Sequence, residues 1–175
     1  MGRDHARFER LVRPVLGTLY RFAVRLTRDP VTAEDLVQQS LLRGLARLSQ
    51  LQDDGAFEVW QCRVLYTTFL NSRPRRDEVQ LDEGTEGHVI PLDRARPDRQ
   101  AERRQLGQRL SDAMDGLPAD QREAVWLIDG QGLSFAEAAG VLGVPPGTVA
   151  SRVARGRLAL RGTLAAVAAD EGVGR

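Results

Sequence analysis

Apolar side chains recur at three- and four-residue spacing through Phe8, Leu11, Val12, Val15, Leu16, Leu19, Phe22, Ala23 and Leu26, one stripe that predicts a helix. Pro14 interrupts the stripe. An interior proline costs about 3 kcal/mol, so the expectation is a kink at Pro14 or a helix that starts there. Asp29-Pro30 reads as a cap followed by a first-turn proline, and Val37, Leu41, Leu45 and Leu48 form the buried face of the helix behind it. Gln52 to Gly55 is polar and turn-like. A third helix is predicted from about Ala56 through Phe57, Trp60, Val64 and Tyr66 to Ser72, where Pro74 pushes the preceding residue out of helical geometry. From Asp77 to about Arg99 the period is lost, and acids, Gly84, Gly87, Pro91 and Pro97 accumulate. Periodicity returns with Leu106, Leu110, Met114 and Leu117. Pro118 then opens a helix whose buried side is Ala124, Val125, Leu127 and Ile128. No window alternates as a strand does. The pattern predicts an all-α chain: two small helical bundles joined by a flexible linker.

The last part of the chain carries a more specific pattern. Ser134 and Glu137 have the spacing of a capping box at a helix start. Ala138, Ala139, Val141 and Leu142 follow, then Gly143 where a left-handed cap falls, and Val144-Pro145-Pro146-Gly147 turns the chain into a second helix running to Leu164. Ala139, Gly143 and Val149 supply what a helix-turn-helix needs: a small residue at the helix contact, a glycine in the turn, an apolar anchor on the second helix. That helix carries Arg152, Arg155, Arg157 and Arg161, and Thr148 and Ser151 near its start suit contacts to base edges or phosphates. An ordinary αα-hairpin with solvated arginines is the plainer alternative. The coincidence of cap, turn glycine, anchor spacing and an acid-free arginine face argues against it.

Composition narrows the classes. The chain has 175 residues with a formal net charge of +1, and all 25 of its basic residues are arginine. A GC-rich coding sequence explains the lack of lysine, and arginine also suits bidentate phosphate contacts. Charge is unevenly spread: residues 1–76 hold 13 Arg against 8 acids, whereas 111–145 hold one Arg against six acids. Two basic patches result, one at Arg63, Arg73, Arg75 and Arg76 and one at 146–162, with an acidic stretch between them. The single cysteine, Cys62, excludes an internal disulfide framework and a multi-cysteine metal site. His5 and His88 are isolated, there is no phosphate-binding loop, and Gly130-Gln131-Gly132 is half a motif, so no enzyme activity and no cofactor are expected. With no apolar run near the roughly 20 residues that span a bilayer and no signal-peptide core, the expectation is a cytoplasmic protein.

Two blocks of the sequence resemble the bacterial extracytoplasmic-function (ECF) sigma factors of the sigma-70 family. In the second block the similarity lies in Leu117-Pro118-Ala119-Asp120-Gln121-Arg122-Glu123, in Gly132 through Ala139, and in Gly147-Thr148-Val149-Ala150-Ser151-Arg152-Val153. In the first it lies in Ala33-Glu34-Asp35-Leu36-Val37-Gln38-Gln39 and Trp60-Gln61-Cys62-Arg63-Val64. The resemblance implies a domain at 5–76 that binds core RNA polymerase and recognises and melts the −10 element. It further implies a helix-turn-helix domain at 104–168 that holds the −35 element. An acidic linker at 77–103 and a disordered tail at 169–175 complete the expected layout. Implied partners are core polymerase (the clamp of its largest catalytic subunit, and the flap), promoter DNA and an anti-sigma factor, with no membrane insertion.

Residues follow from the same resemblance. Glu34, Asp35, Leu36, Gln38 and Gln39 are expected at the polymerase, although a solvated acidic first helical turn is the plainer explanation of these carboxylates. Trp60, Arg63, Tyr66, Thr67, Asn71, Arg73, Arg75 and Arg76 are expected at −10 DNA, where aromatic faces take unstacked bases and arginines hold the backbone. Trp60 and Phe69 also suit a core, which leaves Tyr66, Thr67 and the following loop as the better base contacts. Pro146, Gly147, Thr148, Ser151, Arg152, Ala154 and Arg155 are expected at −35 DNA. The sequence departs from the family where Gln61 and Cys62 replace Leu and an aromatic, Thr67 replaces Asn, Asn71 replaces Asp, Pro74 interrupts an arginine-rich helix end, and Ala150 replaces a basic residue. Ala154 is small where relatives carry more. Five acids without a base in 77–87 either solubilise the linker or lie in the polymerase channel that receives RNA. Two alternatives remain open: a sigma-like decoy that titrates an anti-sigma factor, and a stand-alone helix-turn-helix regulator.

Overall fold

The computed structural model describes residues 2–73 and 107–172, and every regular element among them is helical. The linker at 77–103, Leu106, Arg75 and Arg76 lie outside the described residues. The chain divides into two compact units, Met1–Gly87 with Ala136–Val144, and His88–Phe135 with Pro145–Arg175.

In the first unit α1 (Gly2–Thr27) runs unbroken through Pro14. Pro14 is exposed, and so is Arg10, whose carbonyl loses its donor to the proline, so water is at hand to replace the missing helix hydrogen bond. α1 therefore does not begin at Pro14. α2 (Pro30–Ala46) starts as the sequence predicts: the Asp29 side chain accepts from the Thr32 N–H at 2.8 Å and Pro30 sits in the first turn. α2 stops at Ala46, and Leu48 belongs instead to a short 3-10 turn, Leu48–Gln50. α3 (Phe57–Ser72) ends at an extended Arg73, the residue before Pro74 in the sequence.

These three helices enclose Leu19, Phe22, Ala23, Leu26, Ala33, Val37, Leu65 and Phe69. At one end Phe8, Leu48, Leu51 and Phe57 form a cluster onto which Leu41, Leu45 and Trp60 pack, with Phe8 and Phe57 edge to face at 5.6 Å. Arg7 and Arg10 tie α1 to the loop ahead of α3 through Asp54.

In the second unit α4 occupies residues 107–115 and α5 is Ala119–Val125. α5 widens into a π-helical turn, Trp126–Gly130, a feature the periodicity does not announce. Met114 and Leu117 are buried as expected, whereas Leu110 is exposed. α7 (Pro146–Gly172) buries Val149, Val153 and Leu160. It continues into the stretch expected to be a disordered tail from 169, because its last turns are rich in alanine, the best helix former. α6 (Phe135–Leu142), which from Ala136 on is grouped with the first unit, precedes α7 in the chain, and Gly143 between them has φ +69, a left-handed conformation that side chains with a Cβ resist.

Candidate polymerase and nucleic-acid interfaces

On α2 the buried positions Ala33, Leu36, Val37, Ser40 and Gly44 face the core. Glu34, Asp35, Gln38 and Gln39 are exposed and lie on the other side. The first turn of α2 contains no acid, so Glu34 and Asp35 stand one turn in from the helix end, where the dipole explanation loses force. Leu36 does not belong with them. It is 4% exposed and packs inward, which reduces the outward set to two carboxylates and two amides.

α3 is buried on most of its circumference: Gln61, Cys62, Val64, Leu65, Tyr66, Thr68 and Phe69 all face protein. What remains is a stripe three to four residues apart, with Arg63 and Asn71 exposed and Trp60 and Thr67 half-buried. Arg73 follows at the helix end, its guanidinium 4.6 Å above the Phe69 ring. Tyr66 is not on this stripe. It is 8% exposed and its ring lies parallel to Phe22, centroids 6.3 Å apart, so the residue favoured for base contact is a core residue. Thr67 keeps its position, but its hydroxyl donates to the Arg63 and Val64 carbonyls. Trp60 packs against Phe57 at 6.0 Å while keeping one edge to solvent, as the core explanation anticipates.

Sequence reasoning passed over two residues at this face. Leu70, exposed, lies three residues beyond Thr67 on the same side. Arg43, on α2, donates to the Thr68 hydroxyl at 3.3 Å and brings a further cation to the seam with α3. Helical spacing from Arg63 and Thr67 finds Leu70; no local pattern finds Arg43.

Gln61 and Cys62, the departures within α3, are both enclosed. Gln61 Nε2 donates to the Ser40 carbonyl at 3.0 Å, and the side chain fills the space beside Gly44, where a Cβ would stand 2.2 Å from Gln61 Oε1. Burial first, and Glu58 second, push the Cys62 thiol up to about 12, so at neutral pH it is an enclosed, protonated thiol.

At the second interface, Pro146 and Gly147 are exposed in the first turn of α7 and Thr148 is half-buried. The Thr148 and Val149 N–H groups donate back to the Pro145 carbonyl. Ser151, Ala154 and Arg155 are exposed, and Arg155 Nε donates to the Ser151 carbonyl at 3.3 Å. Arg152 is different. Its side chain is 21% exposed and its Nε lies 3.1 Å from Asp120 Oδ2 on α5. Arg157 likewise engages Asp129, with Nε–Oδ2 at 2.9 Å. Half of the acid-free arginine face is therefore matched by acids from the preceding acidic stretch. Asp129 was legible only as a charge, and Asp120 only as a charge within the stretch that resembles the family.

Gly132 has φ +70, and the Leu133 N–H reaches the Leu127 carbonyl at 3.1 Å, a helix stop rather than a phosphate-binding loop. Among the described residues no group of three or more His, Cys, Asp or Glu side chains is placed to hold a metal ion, and no helix is long and apolar enough to cross a membrane.

Comparison with known proteins bears on both interfaces. The family model for sigma-70 region 2 matches residues 11–78, and that for sigma-70 region 4 matches residues 107–160. The chain is 37% identical over 159 residues to the ECF RNA polymerase sigma factor SigE of Mycolicibacterium smegmatis, a match that takes in 90% of this chain and 62% of that protein. It is 34% identical over 148 residues to EcfG, an ECF RNA polymerase sigma factor of Rhodopseudomonas palustris, across 84% of this chain and 79% of that protein. Among solved structures, the sigma factor RpoE of Bartonella quintana, crystallised with the anti-sigma factor NepR, superposes with a TM-score of 0.69 at 30% identity, covering 90% of this chain and 96% of that one. On these matches, with both regions in order along the sequence, the chain belongs to the extracytoplasmic-function sigma factors of the sigma-70 family.

Proposed function

We propose that the protein binds core RNA polymerase and directs it to specific promoters, acting through binding rather than covalent chemistry. The observation that carries this is the match to sigma-70 regions 2 and 4 on the helices that expose the polar faces described above. The exposed Glu34, Asp35, Gln38 and Gln39 make α2 the polymerase-facing helix, suited to a basic partner surface on the clamp. The α3 stripe of Trp60, Arg63, Thr67 and Asn71, with Arg73, is the face for the −10 strand. It offers one aromatic edge and arginines for the backbone, and capture of unpaired bases shifts the melting equilibrium without catalysis. Thr148, Ser151 and Arg155 on the outward side of α7 read the −35 element, and the α7 N-terminus favours a phosphate.

Regulation by an anti-sigma factor is part of the reading, supported by the similarity to a sigma factor crystallised with one. The expected location is cytoplasmic, where polymerase is.

The test is equilibrium binding of the full chain to bacterial core polymerase beside a variant carrying Asp35→Arg and Gln38→Ala. Tight binding that the variant loses, followed by promoter-dependent transcription from the reconstituted holoenzyme, is the expected result. A folded, inhibitor-free sample that does not bind core polymerase refutes it and turns attention to a decoy or a stand-alone regulator.

A further inference from the structure

The roll of α7 about its own axis decides which side chains it turns outward, and several contacts converge on that roll. Val149, Val153, Gly156 and Leu160 form the buried seam. At 3.6 residues per turn Arg152 and Arg157 project about 70° to either side of this seam, whereas Ser151, Ala154, Arg155 and Leu158 fall on the opposite half. The two flanking arginines are the ones held by acids: Arg152 by Asp120 at 3.1 Å, and Arg157 by Asp129 at 2.5 and 2.9 Å. Between them Gly156 lets α7 approach α5 so closely that a Cβ there would stand 2.7 Å from Val125 Cγ2. One close approach and an ion pair on each side is an arrangement that resists rotation in both directions.

We propose that Asp120 and Arg152 form a strut that sets the roll of α7. Asp120 is then a positioning residue for −35 recognition, and Arg152 is not a phosphate ligand. The proposal rests on the reading of α7 as the promoter-reading helix and removes Arg152 from its contact set. Arg152 is the more enclosed of the two flanking arginines, 21% exposed in its side chain against 46% for Arg157. To reach a phosphate it would have to leave its carboxylate and its place beside α5. Arg155 pays neither cost, since it already lies on the outward half and hydrogen-bonds only within α7 among the described contacts.

Three roles for Arg152 give different results in salt titrations of promoter binding by the holoenzyme. For a strut, Arg152→Gln and Asp120→Asn each weaken binding about two- to five-fold, the range of a partly exposed ion pair, and leave the slope against salt unchanged. For a phosphate ligand, Arg152→Gln lowers the slope by about 0.9. If Asp120 merely competes with DNA for Arg152, Asp120→Asn tightens binding and steepens the slope. Either of the last two outcomes overturns the proposal.

Asp120 also sits in the first turn of α5, where a carboxylate favours the helix for its own sake. The reciprocal exchange, Asp120→Arg with Arg152→Asp, separates that role from the strut. Recovery of most of the lost affinity is expected from a strut, whereas an aspartate at a phosphate contact binds worse than either single change. Circular dichroism establishes the folded fraction of each variant, and the Gln and Asn variants carry the comparison if the exchange does not fold. A wild-type holoenzyme that binds no promoter counts against the sigma-factor reading alone. In that event a double-mutant cycle on the unfolding of the free full chain still decides the strut: coupled Asp120→Asn and Arg152→Gln effects support it, and strictly additive ones overturn it.

Discussion

Replacing Gly156 by alanine sets two opposed effects against each other at one atom. Alanine in a helix interior is favoured over glycine by about 1 kcal/mol, which alone would stabilise α7. Against this, the new methyl would lie 2.7 Å from Val125 Cγ2, roughly 1 Å inside ordinary carbon–carbon contact. Relief by a side-chain swing is not at hand, because Val125 is buried on α5 and a β-branched residue in a helix has essentially one χ1 rotamer. Overpacking of this kind costs about 1–3 kcal/mol, so the net expectation is a loss of about 0–2 kcal/mol rather than the gain that propensity alone would give.

The chain supplies its own probe, since Trp126 follows Val125 directly and is buried in the second unit. Urea unfolding followed by Trp126 fluorescence in a Trp60→Phe background reads the change as a shift in midpoint at constant slope. Adding Val125→Ala removes the offending methyl, so the double variant is expected to recover stability relative to Gly156→Ala, a coupling that independent sites would not show. Promoter affinity should fall with Gly156→Ala and return with the pair. If Gly156→Ala alone proves more stable by about 1 kcal/mol, helix propensity has won and the close approach does not constrain α7.

Other consequences test the first unit. The Cys62 thiol ionises near 12 when folded and at 9.0 in its ordinary state, so burial of the neutral thiol stabilises the fold below pH 9 and that contribution fades as pH rises from 9 to 12. Between pH 8 and 10 the native chain should lose about 1 kcal/mol relative to a Cys62→Ala variant, and a thiol reagent should label it only on unfolding; equal pH profiles for the two would refute the assignment. Gln61 makes one hydrogen bond to Ser40 while its Oε1 has no partner, so Gln61→Met is expected to stay within about 1 kcal/mol of the parent in thermal unfolding. A loss far beyond that would show the amide to be needed. Asp54 is held below the usual carboxylate range by its hydrogen bond from Arg7, so its contribution is present above pH 4 and lost as pH falls below it. Asp54→Asn should flatten that part of the acid unfolding curve, and an unchanged curve would tell against the Arg7 contact.

Much of the architecture was legible because it is written in neighbouring residues. The α1 stripe, the Asp29-Pro30 start of α2, the end of α3 before Pro74 and the left-handed Gly143 are all local events, fixed by side-chain spacing or by the conformational limits of one residue type. The α2 face was legible for the same reason, since one side of that helix is apolar and the other polar. Leu36 was misplaced only because a contiguous stretch of sequence was taken as a surface, whereas a helix turns each successive residue by about 100°.

On α3 the local signal fails. With seven positions between Gln61 and Phe69 enclosed, hardly any polar–apolar asymmetry marks the outward direction, and Tyr66 reads equally well as a base platform and as a core ring. Its place beside Phe22 depends on α1 lying across α3, a contact 44 residues away in the chain. Arg152 and Asp120 are likewise separated by 32 residues, and Arg157 and Asp129 by 28. The sequence by itself determined that the chain is helical, where most helices start and stop, and which family it belongs to. Which arginines of α7 are engaged by acids, and which aromatic of α3 keeps an edge in water, the tertiary structure alone decided. Helix periodicity is set within a turn or two, whereas an ion pair or a buried ring is set by whichever distant element is brought against it.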